Sequence, residues 1–177
     1  MLSEYLFERS GIEKMKHKLF IDMDGVLTDL DKELLKTGKI SPEDFQKIKD
    51  KTMEGMVFWR IVNESGLKFW SEMEWTANGE KLWNMVSKYD PTILSAYDKK
   101  GIYSYEGKKI WIRKNLNNVR SILCFREEKQ EYARNGYVLI DDREDNIAEW
   151  EQRGGIGILY CDKDFDSIKN KIEKHLI

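Results

Sequence analysis

The stretch Leu19-Phe20-Ile21-Asp22-Met23-Asp24-Gly25-Val26-Leu27-Thr28-Asp29 decides how the rest of the chain is read. The apolar run Lys18–Met23 is too short for a helix and is bounded by polar residues, which predicts a buried strand. Asp22 and Asp24 come at its end. Residues i and i+2 of an extended segment project to the same side. Two carboxylates so placed repel unless a cation or a proton intervenes. Gly25 permits the sharp turn that follows. Such a pair can serve Mg²⁺, which favours oxygen ligands, or supply a nucleophile and a separate acid/base. Taken alone, it can equally be an acidic strand-to-loop turn.

Working outward, four more short apolar runs read as buried strands: Thr92–Ser95, Ser121–Phe125, Tyr137–Ile140 and Gly157–Cys161. Helical patterns cover Gly107–Asn117, Glu127–Asn135, Asp145–Arg153 and Asp164–His175, with Gly154-Gly155 as a helix stop. Strands alternating with helices predict βαβ units and a Rossmann-like α/β fold, a parallel sheet flanked by helices. Residues 33–90 break the rhythm. They read as helices over Ser41–Lys51, Val57–Asn63 and Asn78–Tyr89, the first opening with Ser41 as N-cap and Pro42 at the first helical position. The expected organisation is a core of residues 1–32 and 91–177 with a small helical cap, 33–90, inserted after the first strand. An insertion of that length is usually a lid or binding element.

Composition narrows the function classes. Apolar residues make up 41% and charged residues 35% of the 177, a soluble globular balance. With 30 basic and 32 acidic residues, the net charge of −2 gives no sign of duplex nucleic-acid binding. No apolar run approaches the ~18 residues of a membrane span, and Met1–Arg9 shows no signal-peptide pattern, so a cytoplasmic location is expected. The cysteines, Cys124 and Cys161, sit in apolar runs and read as buried free thiols. His17 and His175 lack metal-ligand neighbours in sequence, which argues against a histidine-rich metal site. The sequence leaves a homodimer open.

Four spots fall at or just beyond predicted strand ends, where an open parallel sheet carries its active site. The first is Asp22 with Asp24. The second is Ser95, whose hydroxyl can donate to a phosphate oxygen. The third is Lys129, which could neutralise charge on a transferring group; Lys108 and Lys109 compete for that role. The fourth is Asp141-Asp142, a costly acidic pair unless it binds a cation or reaches solvent.

In this order and spacing the four spots resemble the motifs of the haloacid dehalogenase-like (HAD) hydrolase superfamily. The helical insertion after the first motif, Gly107-Lys-Lys-Ile-Trp111, Arg126-Glu-Glu-Lys129 and Leu139-Ile-Asp-Asp-Arg143 resemble the 5′(3′)-deoxyribonucleotidases within it. The resemblance implies a Mg²⁺-dependent phosphomonoester hydrolase with Asp22 as nucleophile and Asp24 as acid/base. Ser95, with Ala96 beside it, and Lys129 would bind the phosphoryl group. Mg²⁺ would be held by Asp22, the carbonyl of Asp24 and the acidic pair, with Asp142 as direct ligand and Asp141 in support. Cap aromatics would stack on a nucleobase, with Phe58, Trp59, Trp70 and Trp75 as candidates. The implied substrate is a small phosphomonoester, a nucleoside monophosphate. The same chemistry on a sugar phosphate or nucleic-acid end, and a non-catalytic binding protein of this fold, are the alternatives.

Overall fold

The computed structural model describes residues 18–50, 55–99 and 101–176. All five predicted strands form: β1 (Leu19–Ile21), β2 (Thr92–Ala96), β3 (Ser121–Cys124), β4 (Val138–Asp141) and β5 (Ile156–Leu159). They pair in parallel in the order β3-β2-β1-β4-β5. β1 is the central strand, and Leu19, Phe20 and Ile21 are all buried, as a continuous apolar run in a two-sided sheet requires. The chain leaves β1 towards β2 but leaves β4 towards β5. This reversal opens a crevice beyond the carboxyl ends of β1 and β4.

Residues between β1 and β2 form α1 (Leu30–Lys36), α2 (Pro42–Lys49), α3 (Gly55–Ser71) and α4 (Gly79–Val86). Ser41 caps α2 as the sequence predicts, its hydroxyl accepting the Asp44 N–H at 3.1 Å. The middle helix runs well beyond Val57–Asn63. Gly66 adopts φ 73° and ψ −158° and kinks α3 rather than ending it. Only glycine takes that conformation cheaply, and the helix resumes because Phe69 and Trp70 find burial beyond it. Residues 51–54, with Lys51 at the end of the expected helix, lie outside the described residues.

The second half holds α5 (Ser104–Asn115), α6 (Glu144–Gln152) and α7 (Phe165–Leu176). The expected helix at Glu127–Asn135 is instead a tight 3-10 segment over Arg126–Tyr132. Its entry is fixed by the Glu128 carboxylate, which accepts the Phe125 N–H at 2.9 Å. Cys161 also departs from expectation. β5 ends at Leu159, so Cys161 lies past the strand and is exposed, whereas Cys124 on β3 is buried; both are free thiols.

Alternation along β1 sends side chains to both faces of the sheet. Leu19 and Ile21 join Ile93, Val138 and, from the insertion, Ile61, Val62, Trp70, Leu82 and Val86 in one apolar cluster. Phe20 joins Leu94, Leu139 and Trp150 in the other. The insertion therefore shares the core of the sheet. No helix among the described residues is long and apolar enough to cross a membrane.

The contact between α3 and α5 sets the height of the insertion over the crevice. A Cβ at Gly107 would lie 2.3 Å from Trp70 Cβ and 3.2 Å from the Leu67 carbonyl oxygen, neither of which is a flexible chain end. Gly107→Ala gains about 1 kcal/mol of helix propensity but forces the helices apart at a cost of about 1–3 kcal/mol. Net destabilisation of up to about 2 kcal/mol is expected from chemical denaturation. A denaturation midpoint equal to or above the parent's would show that this contact does not limit the approach.

Candidate active site

Asp22 continues β1 by donating its backbone N–H to the Ile140 carbonyl at 2.9 Å, which fixes it beside the end of β4. Its Oδ1 accepts the Met23 N–H at 2.7 Å. Its Oδ2 lies 2.8 Å from Lys129 Nζ, and the same ammonium lies 2.8 Å from Asp141 Oδ2. The 3-10 segment after β3 thus delivers one buried lysine between the ends of the two central strands. Asp141 is fully buried and occupied on both oxygens. Asn146 Nδ2 lies 2.9 Å from each of them, and the Arg143 N–H donates to Oδ1. Asp142, the next residue, packs against the turn after β1. A Cβ on Gly25 would sit 2.2 Å from Asp142 Oδ2, and Gly25 has φ 78°. Glycine is needed there for both room and conformation.

The charges are unevenly satisfied. Burial works to raise the pKa of Asp22, but Lys129 and then Lys108 outweigh it, and the carboxyl is held below its usual range. Burial works equally against the Lys129 charge, yet Asp22 and Asp141 raise its pKa above that of an ordinary lysine. Asp141 is pushed up to about 6 by burial and by Asp22, despite its bond to Lys129. Asp142 is pushed up to about 7, first by desolvation and then by Asp22 and Asp141. The residue as a whole is exposed, while its carboxylate lies against Gly25.

Three carboxylates therefore crowd around one lysine, a deficit that a divalent cation would remove. Asp22, Asp141 and Asp142 each offer a ligand atom, and these atoms all lie within 4.8 Å of one another. The donors are all oxygen, which suits Mg²⁺. His17 lies outside the described residues, and His175 is on α7.

Asp24 faces a different partner. Its Oδ1 accepts the Thr28 hydroxyl at 3.1 Å, and its Oδ2 accepts Lys108 Nζ at 2.5 Å. Lys108 also donates to Ser95 Oγ at 3.0 Å and to the Ala96 carbonyl. The sequence set Lys108 and Lys129 in competition for one role, whereas the fold gives each lysine its own aspartate. A signal for Lys108 was available. It shares the buried face of α5 with Ser104, Trp111 and Ile112, a costly place for an unpaired ammonium.

Asp22, Asp24, Ser95, Ala96, Lys129 and Asp142 line a cavity of about 1170 Å³. Phe58, Trp59 and Trp70 line it as well. Trp75 is not among the lining residues; its ring packs edge-on against Trp111 with centroids 4.8 Å apart, because Trp75 follows α3 beside the turn at Thr28. Tyr97 and Phe125, which no sequence signal singled out, line the cavity from beyond β2 and β3 with ring centroids 4.9 Å apart.

No protein-family model matches the chain, and no curated protein sequence matches it. Solved structures do. A hydrolase from Streptococcus pneumoniae TIGR4 overlays with a TM-score of 0.55 at 12% identity, covering 89% of this chain and 98% of that one. A hydrolase from Pseudomonas syringae gives 0.50 at 11% identity, covering 87% and 89%. At a lower TM-score of 0.43 and 14% identity, a HAD-family enzyme from Bacteroides thetaiotaomicron was solved with magnesium and inorganic phosphate, covering 84% and 96%. At these identities the likeness establishes the fold: a five-stranded parallel α/β sheet flanked by helices, shared with hydrolases.

The carboxylate cluster makes a metal prediction that needs no substrate. Mg²⁺ at about a hundred times its dissociation constant stabilises the folded state by ~2.7 kcal/mol, or about 5–10 °C in Tm for a chain of this size. Asp142→Asn should abolish that shift in differential scanning fluorimetry. An equal shift in parent and variant would place the cation elsewhere.

Proposed function

We propose that this chain is a HAD-type phosphatase, a Mg²⁺-dependent phosphomonoester hydrolase working through an aspartyl-phosphate on Asp22. The observation that carries the reading is the division of labour at the sheet ends. Asp22 is held ionised beside Lys129, while Asp24, two residues on, is held apart from it by Lys108 and Thr28. A phosphoryl transfer needs a carboxylate nucleophile and a separate acid/base, plus cationic groups around the moving charge.

In this mechanism Asp22 attacks the phosphorus, and the bond from phosphorus to the ester oxygen breaks. Asp24 serves as the acid/base, passing a proton to the departing alkoxide and then taking one from the water that hydrolyses the acyl phosphate. Ser95 donates its hydroxyl proton to a phosphoryl oxygen. Lys129 spends two of its three donors on Asp22 and Asp141, and the third is available to the phosphoryl group. Bound Mg²⁺, on Asp22, Asp142 and the carbonyl of Asp24, would neutralise phosphoryl charge. Asp141, with both oxygens engaged, supports from behind.

For the substrate we infer a (deoxy)ribonucleoside monophosphate, with the helices of residues 33–90 acting as the cap. Support comes from Phe58, Trp59 and Trp70 along one side of the cavity and Tyr97 and Phe125 lining it from the sheet side. A base between aromatic surfaces gains ~1–3 kcal/mol per stacking contact.

Phosphate release from a panel of nucleotides and sugar phosphates with Mg²⁺ tests both levels. Asp22→Asn should lower turnover by about 10³-fold or more on every substrate. Activity surviving intact in that variant would rule out the mechanism, and no turnover by the parent on any phosphomonoester would favour a non-catalytic binding protein. Trp59→Ala, at an exposed position, should raise KM for nucleoside monophosphates by about five-fold or more while leaving ribose 5-phosphate unchanged. An equal effect on both would favour a sugar phosphate.

A further inference from the structure

Lys108 is a charge placed where the fold makes it expensive. It projects from α5 into the core and is 1% exposed. Its ammonium lies 5.2 Å from the centre of the Trp70 ring. An ammonium has three N–H donors, and all three are spent, on Asp24 Oδ2, Ser95 Oγ and the Ala96 carbonyl. With no donor left, Lys108 is unsuited to gripping a substrate phosphate. Two of its acceptors, however, are side chains that the proposed reaction uses.

Resting on the phosphatase reading above, we propose that Lys108 is a positioning residue that sets the direction of the Asp24 side chain. The Asp24 carboxylate is clamped at both oxygens, by Lys108 on Oδ2 and by Thr28 on Oδ1. Thr28 is itself tied to the turn, its hydroxyl also lying 3.1 Å from the Met23 carbonyl. The clamp fixes the plane of the carboxylate, and so the position from which a proton reaches the leaving oxygen. Ser95 Oγ accepts from the same ammonium, which leaves its own O–H free to donate, and Ser95 lines the cavity. The clamp's reach is set by backbone: Gly107 lets α5 approach Trp70, and Trp111, one turn on from Lys108, anchors the helix by donating Nε1–H to the Met73 carbonyl at 2.8 Å.

A residue that acts through the acid leaves a signature in the leaving group. Help from an acid matters for a poor, alkoxide leaving group and little for p-nitrophenolate, which departs unprotonated. A well-placed acid contributes ~10²–10⁴-fold. Lys108→Met keeps the apolar stem and removes the charge. It should lower kcat on an alkyl phosphate by about 10²-fold and on p-nitrophenyl phosphate by less than about tenfold, while inhibition by inorganic phosphate stays unchanged. Lys108→Arg should recover part of the loss. Equal losses on the two substrates, or phosphate inhibition weakened in step with kcat, would overturn the proposal in favour of direct phosphate binding.

The variant Asp24→Asn/Lys108→Met removes both halves of the buried pair, leaves no unpaired charge, and carries the same question should the single variant fail to fold. Its alkyl phosphatase activity should equal that of Asp24→Asn alone, and activity about tenfold or more below it would overturn the proposal. A parent chain that turns over neither ester overturns the phosphatase reading and this inference with it. A parent that turns over both, with variants failing the leaving-group test, overturns the role of Lys108 alone.

Discussion

The Lys129 ammonium, placed 2.8 Å from both Asp22 and Asp141, is the interaction on which the rest of the site depends. Two carboxylates ending adjacent parallel strands, both excluded from water, would drive β1 and β4 apart or take up protons. One lysine between them allows Asp22 to stay ionised, at the expense of Asp141, which remains raised. The lysine must itself be buried to do this, and its loss would leave two buried charges uncompensated. The 3-10 segment after β3 carries Lys129 to this position at the strand ends.

The site consists of two ion-paired units side by side. One joins Lys129, Asp22 and Asp141, with Asn146 and Arg143 holding Asp141 from behind. The other joins Lys108, Asp24 and Ser95, with Thr28 holding Asp24. Gly25 lies between the two aspartates and Asp142 and leaves space for the third carboxylate of the cluster. Each unit draws on a strand end and on a residue from a separate element. The crevice made by the reversal of strand order is where such elements converge.

The helices of the insertion are built for the same place. α3 continues past Gly66 because Phe69 and Trp70 can be buried there, and α5 approaches through Gly107. Trp70 consequently serves both core and cavity, touching the apolar cluster on one side and standing near the Lys108 ammonium on the other. Phe58 and Trp59, earlier on the helix and edge-on to one another at 4.8 Å, extend the apolar lining towards solvent.

The sequence by itself determined the five strands and their parallel α/β arrangement, and with them that Asp22, Ser95 and Asp141 stand at strand ends, because short apolar runs ending in polar residues are local signals. Tertiary structure decided the rest, for reasons that sequence spacing does not carry. The expected helix ends at Asn63, whereas the burial available to Phe69 and Trp70 carries α3 on through a kink at Gly66. Glu127–Asn135 has a helical pattern, yet the need to bring Lys129 between two strands is met by a tighter turn. Trp75 is as aromatic as Trp59, but its place beside the Thr28 turn commits it to Trp111 rather than to the cavity. Cys161 sits in an apolar run but falls past the end of β5. Lys108 and Lys129 are indistinguishable as letters. What separates them is which aspartate each can reach, and that distance exists only once β1, β3 and α5 have packed together.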